Sequence, residues 1–303
     1  MRIAYVDSQV NNPEYLYYSS FFNALKTQDV EVRNFNSYHD SLQDFDAVIF
    51  GLGFFSEETP SHYRRFEGLN KSKCRKIAIL HKIKNHYECK LNFCKINDID
   101  LALTTTPFSR RIESDCGIKT KILPYCADSN IFRNLKIEKK YDIGFSGALH
   151  AGKKKGCEGE LENIRVKIKE ALQKTHLKVF WNGTDRVETR IKSTEDYVKK
   201  INECKLWLCV TGPSYDVNPR YHEVPLCGTV VFTNDIPKSE YDYIFRDMHN
   251  CVRFHNDLSN FNTGLHKALS YYNVYQRNGW LDAIDNSSYE ARGKQLVEYI
   301  NGI

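Results

Sequence analysis

The chain has 303 residues, of which 41% are hydrophobic and 27% charged, the balance of a globular protein and not of a disordered one. Its apolar runs are far shorter than the roughly 20 residues that a membrane-spanning helix needs. The net charge of +5 is mild and its basic residues are dispersed, so no nucleic-acid groove is indicated. The positive excess suits an anionic ligand or a peripheral contact with an anionic membrane, and charge alone leaves both open.

The cysteines and the first residues indicate an intracellular protein. Ten cysteines are scattered without a Cys-x-x-Cys pair, so neither a disulfide scaffold nor a structural zinc site is expected. Residues 1–7 pass directly into a predicted strand and do not resemble a signal peptide. We therefore expect reduced thiols and a cytoplasmic location.

Strand and helix patterns alternate along the first half of the chain. Short β-branched and aromatic runs predict strands at 2–6, 30–35, 46–51, 76–81, 101–105 and 119–123. Amphipathic stretches, for example 17–26 and 60–70, predict helices between them. Repeated strand–helix–strand units indicate a parallel, doubly wound sheet covered by helices on both faces.

A second series of the same kind begins after a charged connection at 128–140. It predicts strands at 141–147, 177–182, 205–211, 229–233 and 251–254, and helices at 160–175, 194–203, 219–226, 260–273 and 288–300. The predicted fold class is α/β, with two Rossmann-like domains at 1–135 and 136–285 and a C-terminal helix at 286–303. Ligands bind outside the carboxyl ends of such strands, so we expect the two sheets to face one interdomain cleft.

The most informative segment is 211–233. A strand ends there in a loop rich in Gly, Pro and Asn, and a short helix starts at Pro219 and stops at Gly228. Its free N–H groups would face the crevice at the strand ends and suit a diphosphate. Glu223, one turn into the helix, can offer its carboxylate to a pair of hydroxyls such as those of a ribose.

This segment resembles the donor-binding motif of GT-B glycosyltransferases, the group 1 family and especially its spore-maturation-protein-like (CgeB-like) branch. The matching residues are Arg220 and Glu223, three apart, and the run CGTVV at 227–231. The segment 124–132 is similar to the end of the family's first domain, and 141–147 to the start of its second. The resemblance covers most of residues 100–260.

The resemblance implies a metal-independent, retaining enzyme that moves a hexosyl or pentosyl group from a nucleotide-sugar to a hydroxyl of a glycan or other acceptor. Glu223 would bind the donor ribose, and the final helix would pack back on the N-terminal domain. Tyr215 stands where many group 1 members carry an acidic residue that contacts the transferred sugar.

Further donor contacts are predicted around the strand ends of the second domain. Gly147, His150 and Lys155 belong to a loop whose glycines admit a phosphate and whose lysines supply charge, although a solvated lysine run is the alternative. Asn218 and Arg220 would lie near the diphosphate. Asn182 ends the strand 177–182, near the place where the nucleotide base docks in this fold.

The acceptor side is predicted in the first domain. His81 follows the strand 76–80 and is a candidate base, with Glu223 the other candidate catalytic residue. Gly53 and Phe54 follow another strand and could approach a sugar. A hydrogen-bonded loop histidine and packed phenylalanines are the alternatives. No Gly-x-Gly-x-x-Gly follows the first strand, which disfavours a dinucleotide dehydrogenase.

Two Asp-x-Asp triplets, 44–46 and 98–100, precede strands and so lie at the edge away from the ligand side. We interpret them as structural and expect no metal or other cofactor, because a helix N-terminus and lysines can neutralise a diphosphate.

Two other functions stay open on the sequence. These are a nucleotide-sugar epimerase of the same fold and a non-catalytic nucleotide-sugar- or glycan-binding protein.

Overall fold

The computed structural model describes residues 1–12, 16–56, 64–149, 161, 163–211 and 215–303. The chain forms two compact units, one from Met1–Cys126 with Ser288–Ile303 and the other from Ala127–Ser287. The segment 127–135 therefore belongs to the second unit, although the sequence prediction placed it in the first. Its backbone is bonded there, since Asn202 Nδ2 donates to the carbonyl of Arg133 and Asn202 Oδ1 accepts from Leu135 N.

The first unit is built on a six-stranded sheet in the order β2-β1-β3-β4-β5-β6, and all of its strand pairs are parallel. The strands are β1 (Arg2–Val6), β2 (Glu31–Phe35), β3 (Ala47–Phe50), β4 (Arg75–Leu80), β5 (Leu101–Thr104) and β6 (Thr120–Ile122). The central strands are buried on both faces, as their unbroken apolar runs predict.

The second unit is built on a five-stranded parallel sheet in the order β11-β10-β9-β7-β8. The strands are β7 (Tyr141–Gly147), β8 (Val179–Gly183), β9 (Cys204–Cys209), β10 (Val230–Asn234) and β11 (Cys251–Phe254). In each sheet, the first strand of the unit lies between the second and the third strands. The α/β prediction with two doubly wound sheets is therefore confirmed.

Helices cover these sheets. They are α1 (Ser20–Lys26), α2 (Tyr87–Ile96), α3 (Ser109–Cys116), α4 (Ile164–Gln173), α5 (Thr194–Asn202), α6 (Arg220–Leu226), α7 (Lys238–Tyr241), α8 (Phe261–Ser270), α9 (Tyr272–Ser287) and α10 (Tyr289–Asn301). In the described part of the predicted helix 60–70, the structure has a 3-10 turn at Leu69–Lys71 instead. Among the helices of the described ranges, none has both the length and the apolar character needed to cross a bilayer.

Helix α10 returns to the first unit and packs against α1. The two helices approach so closely that a Cβ on Gly293 would lie 2.1 Å from the carbonyl oxygen of Ala24. Leu296 and Ile300 of α10 are fully buried in the same core cluster as Leu25. Glycine at position 293 therefore sets the distance between the two helices.

Gly144, inside β7, offers a test of packing in the second sheet. A Cβ there would lie 2.5 Å from Cys204 Sγ and 2.6 Å from the ring of Trp207, and both neighbours are fully buried. We predict that Gly144→Ala lowers the free energy of unfolding by about 1–3 kcal/mol, because a packed core resists overfilling. Urea unfolding followed by circular dichroism measures the loss.

The matched control is Gly264→Ala in α8. A Cβ on Gly264 would meet its nearest heavy atom at 3.5 Å, an ordinary contact, and alanine favours a helix by up to about 1 kcal/mol over glycine. We expect this variant to be at least as stable as the wild type. Equal stability of Gly144→Ala and the wild type would contradict the packing described for β7.

Candidate functional site

The candidate site lies at the carboxyl end of the second sheet, between β7 and β9. These neighbouring strands form the switch point of the sheet, since β8 lies beyond β7 on one side and β10 beyond β9 on the other. The chain connections leave the two strands in opposite directions, which opens a crevice where ligands of such sheets bind. Strand β7 ends there at Gly147, and α6 begins at Arg220 after the loop that follows β9.

Arg220 lies directly over the end of β7. A Cβ on Gly147 would come within 3.0 Å of Arg220 Nη2, and Gly147 has a φ of +145°, which favours glycine. The Arg220 guanidinium also stacks over the Phe145 ring, with Cζ 5.8 Å from the ring centre. The glycine therefore leaves room for a guanidinium against the strand end.

A second arginine, Arg165 of α4, joins the ends of the two switch-point strands. Its Nη1 donates to the carbonyl of Ala148 at 2.5 Å, and its Nη2 donates to that of Val210 at 3.4 Å. The Arg165 Cζ lies 5.9 Å from the centre of the Phe145 ring, so two guanidinium groups stack on this ring. Arg165 is buried, and its charge adds to the positive potential at the crevice.

Tyr197 of α5 connects Arg220 with Glu223. Arg220 Nε donates a hydrogen bond of 3.1 Å to Tyr197 Oη, and this hydroxyl donates one of 3.2 Å to Glu223 Oε2. Arg220 and Glu223 lie one turn apart on the same face of α6, as their spacing requires. The motif pair Arg220 and Glu223 is therefore brought together, and a residue that sequence analysis missed lies between its members.

Burial strongly affects protonation in this cluster. It raises the pKa of Glu223 to about 7, while the Arg220 charge and the Tyr197 hydrogen bond act in the opposite direction. Burial also raises the pKa of Tyr197 well above its usual value, so its hydroxyl remains a donor. Glu223 thus changes charge close to neutral pH, and its ionised form can accept two hydroxyl hydrogen bonds.

Asn218 fixes the start of α6. Its Oδ1 accepts a 3.1 Å bond from Arg220 N, and its Nδ2 donates at 3.3 Å to the carbonyl of Val210, just after β9. The amide thereby ties the first turn of the helix to the switch-point strand. The contacts of Asn218 in the structure hold the helix start that carries Arg220. A contact of Asn218 with the donor stays a prediction.

Asn182 lies at the carboxyl end of β8. Its Oδ1 accepts from Ser146 Oγ at 3.1 Å, and its Nδ2 donates to the carbonyl of Thr189 at 3.1 Å. These bonds join β7, β8 and the turn that follows β8. A base contact near Asn182 stays a prediction.

Tyr215 lies in the loop between β9 and α6. Its φ of +56° is rare for an aromatic residue, and 36% of its surface is exposed. A contact of Tyr215 with the donor stays a prediction. His150 and Lys155 lie outside the described residues.

In the first unit, a carboxyl group occupies the switch point between β1 and β3. Asp7 is fully buried, and Gly53 N donates to its Oδ2 at 2.7 Å. A Cβ on Gly53 would lie 2.1 Å from Asp7 Oδ1, and one on Gly51 would lie 2.4 Å from Asp7 Oδ2. The close approach to Asp7 therefore explains why glycine is present at both positions. An acceptor contact of Gly53 stays a prediction.

Phe54 is partly buried in the core under the same loop. Its ring centre lies 5.0 Å from that of Phe50 and 5.3 Å from that of Phe93. The structure thus gives Phe54 the packing contacts that were the alternative to sugar stacking, and a role toward an acceptor remains a prediction.

His81 follows β4 and is only 3% exposed. Its Nδ1 is 3.0 Å from Tyr125 Oη, and its carbonyl accepts a 2.6 Å bond from Lys90 Nζ. Burial lowers the pKa of His81 well below its usual value and that of Lys90 to about 7. His81 is therefore a neutral, hydrogen-bonded residue at the strand end, and its role as a base stays a prediction.

The two Asp-x-Asp triplets bind backbone groups at the amino ends of strands. Asp46 Oδ2 accepts a 2.6 Å bond from Arg2 N, and Asp100 Oδ2 accepts a 2.7 Å bond from Lys76 N. These contacts agree with the structural interpretation of both triplets. Within the described ranges, no group of three or more His, Cys, Asp or Glu side chains is arranged to hold a metal ion.

The raised pKa of Glu223 predicts a specific pH dependence of stability. Because the folded state favours the protonated form, this carboxyl contributes most below about pH 4.5, and the contribution is lost as the pH rises through about 7. Glu223→Gln mimics the neutral form at every pH. We therefore expect this variant to gain stability relative to the wild type as the pH rises through that range.

Urea unfolding at several pH values measures this difference. Glu195→Gln, on the exposed side of α5, is the control and should follow the wild type. Parallel pH profiles of Glu223→Gln and the wild type would show that burial does not raise the pKa of Glu223.

Comparisons with known proteins find solved structures that are similar to this one, but no protein with a matching sequence. No profile of a known protein family matches the chain, and no curated protein matches its sequence. The fold is similar to HepE of Anabaena in complex with UDP and glucose, with a TM-score of 0.58 and 12% identity over 100% of this chain and 99% of that one.

Two further solved structures are also similar to this chain. Sucrose-phosphate synthase from Thermosynechococcus elongatus has a TM-score of 0.60 and 10% identity, covering 100% of this chain and 98% of its own. AviGT4, a glycosyltransferase of avilamycin A biosynthesis, has a TM-score of 0.57 and 11% identity, covering 99% and 97%. These structural neighbours are GT-B glycosyltransferases, and the chain has their two-domain, Rossmann-like fold.

Proposed function

We propose that the protein is a glycosyltransferase and that its second unit binds a nucleotide-sugar donor. The observation that carries this proposal is the cluster of Arg220, Tyr197 and Glu223 at the switch point of the second sheet. The cluster joins a guanidinium and a carboxylate on one helix, next to a strand end where glycine makes room for the guanidinium. The GT-B fold supports this assignment by analogy.

The two charged groups match adjacent parts of a nucleoside diphosphate. The Arg220 Nη atoms lie against Gly147, where a diphosphate could bind the guanidinium by charge-assisted hydrogen bonds. Glu223, one turn further along α6, would accept hydrogen bonds from the two ribose hydroxyls. Positive charge at this point would also stabilise the leaving diphosphate during transfer.

The charges at the two switch points support donor binding in the second unit. In the first unit, the equivalent crevice contains the Asp7 carboxyl, which accepts the N–H groups of Gly53 and Gln9. In the second, it contains the guanidinium groups of Arg220 and Arg165. A carboxylate disfavours a diphosphate, whereas two guanidinium groups attract it.

We propose a UDP-sugar as the first donor to test, because HepE has been crystallised with UDP and with UDP-glucose. We also propose retention of configuration and independence from metal ions, which the motif at 211–233 implies through its resemblance to group 1 enzymes. The acceptor would offer a hydroxyl group, as in a glycan. Hexosyl transfer is the first reaction to assay.

Calorimetric titration with UDP, GDP and ADP tests the donor site. We expect one nucleoside diphosphate to bind the wild type and both Glu223→Gln and Arg220→Gln to weaken it at least about tenfold, since each loses a hydrogen bond to a charged group. Glu195→Gln and Arg246→Gln, at exposed positions of the same unit, are matched controls and should bind like the wild type. Failure of the folded wild type to bind any of the three would overturn the proposal.

A transfer assay distinguishes the enzyme from the alternatives. With the nucleotide identified, release of nucleoside diphosphate from the matching sugar donor should require a hydroxyl acceptor. Donor that binds and stays intact with every acceptor would favour a binding protein. Conversion of donor to its epimer without acceptor would favour an epimerase.

A further inference from the structure

We infer that Tyr197 is a positioning residue of the donor site, whose hydroxyl holds the Glu223 carboxylate and the Arg220 guanidinium in place for a nucleoside diphosphate. The inference rests on the proposed function and extends it to a residue of another helix, α5. Sequence analysis offers no motif for this tyrosine.

The hydroxyl of Tyr197 has one donor and one acceptor partner, both charged side chains. It accepts from Arg220 Nε at 3.1 Å and donates to Glu223 Oε2 at 3.2 Å. Because Nε is occupied in this way, the Nη atoms of the guanidinium are turned toward Gly147, where Nη2 would lie 3.0 Å from a Cβ. A single hydroxyl thus orients both groups that the donor site uses.

The ring of Tyr197 is fixed by packing. Its centre lies 5.9 Å from that of Trp207 in β9 and 6.4 Å from that of Phe132, and both contacts are edge-on. Trp207 is fully buried and Phe132 nearly so. The position of the hydroxyl is therefore determined by the core of the second unit, and removing only the oxygen should leave the packing intact.

The pKa of Glu223 depends on the groups that face it, so the effect of Tyr197 on this carboxyl can be measured as a change with pH. Arg220 faces it from α6, Tyr197 from α5, Cys209 from β9, and Cys227 follows α6. Burial raises the pKa of both thiols, so they are neutral near pH 7. The Tyr197 hydrogen bond favours the ionised carboxylate, which is the form that accepts ribose hydroxyls.

Loss of the Tyr197 hydroxyl should therefore weaken nucleotide binding in a pH-dependent way. Without this hydrogen bond, the pKa of Glu223 rises further, and a larger fraction of the protein carries a neutral carboxyl near pH 7. The affinity lost should be greatest below and around neutral pH and should shrink once the pH exceeds the higher pKa. A tyrosine with a merely structural role would weaken binding equally at every pH.

The test is titration of UDP, or of the diphosphate that binds the wild type, between about pH 6 and pH 9. We expect the wild-type affinity to rise through about pH 7. Tyr197→Phe should bind roughly tenfold more weakly near neutral pH, with the midpoint of its profile at higher pH. Tyr271→Phe, at a position that is 56% exposed in the same unit, is the control.

A second variant tests the same hydrogen bond if Tyr197→Phe folds poorly. 3-Fluorotyrosine at position 197 keeps the hydroxyl but makes it a stronger donor, so the midpoint should move to lower pH. An unchanged profile in both variants, or a loss that is equal at all pH values, overturns the role of Tyr197. Absence of binding by the wild type at every pH overturns the proposed function and, with it, this inference.

Discussion

The contact between Arg220 and Gly147 is the constraint on which the candidate site depends. The guanidinium lies so close to the strand end that a Cβ at position 147 would lie only 3.0 Å from Nη2 and would push it away from this position. Asn218 fixes the helix start from which Arg220 projects, and Tyr197 fixes the direction of its guanidinium. The carboxyl end of β7 thereby lies beside a positive charge, which attracts a diphosphate.

The two units share the order of their first three strands but carry side chains of opposite charge at the switch point. Both sheets have a switch point between their first and third strands, and glycines allow a charged side chain to approach closely at each. In the first unit the approaching group is Asp7, which binds backbone N–H groups of the following loops. In the second unit it is Arg220, whose Nη atoms lie along the strand end. The fold provides the switch point in each unit, and the side chain there sets the sign of its charge.

Much of the fold could be predicted from the sequence because buried parallel strands leave unbroken apolar runs. The pair Arg220 and Glu223 was also predictable, since three residues along a helix return to the same face. Tyr197 was not predictable, because its contact with them depends on how α5 packs on the sheet and leaves no periodic signal. Arg165 and Asp7 were missed for the same reason, although a carboxylate directly after a first strand is a visible feature.

Tertiary contacts explain two further features that the sequence does not show. His81 was predicted at a strand end, and it is there, but its ring is enclosed by neighbours that keep it neutral. The segment 127–135 was assigned to the first domain because 124–132 resembles the end of that domain in the family, but its backbone bonds to Asn202 place it in the second unit. The bonds to Asn202 depend on tertiary packing, which the sequence of the segment alone does not show.

The most direct test of the donor site is a crystal structure of the protein with the nucleoside diphosphate that it binds. We expect the diphosphate within hydrogen-bond distance of the Arg220 guanidinium, beside Gly147, and both ribose hydroxyls on the Glu223 carboxylate. A nucleotide bound elsewhere, or one whose ribose does not contact Glu223, would contradict the assignment of this cluster as the donor site.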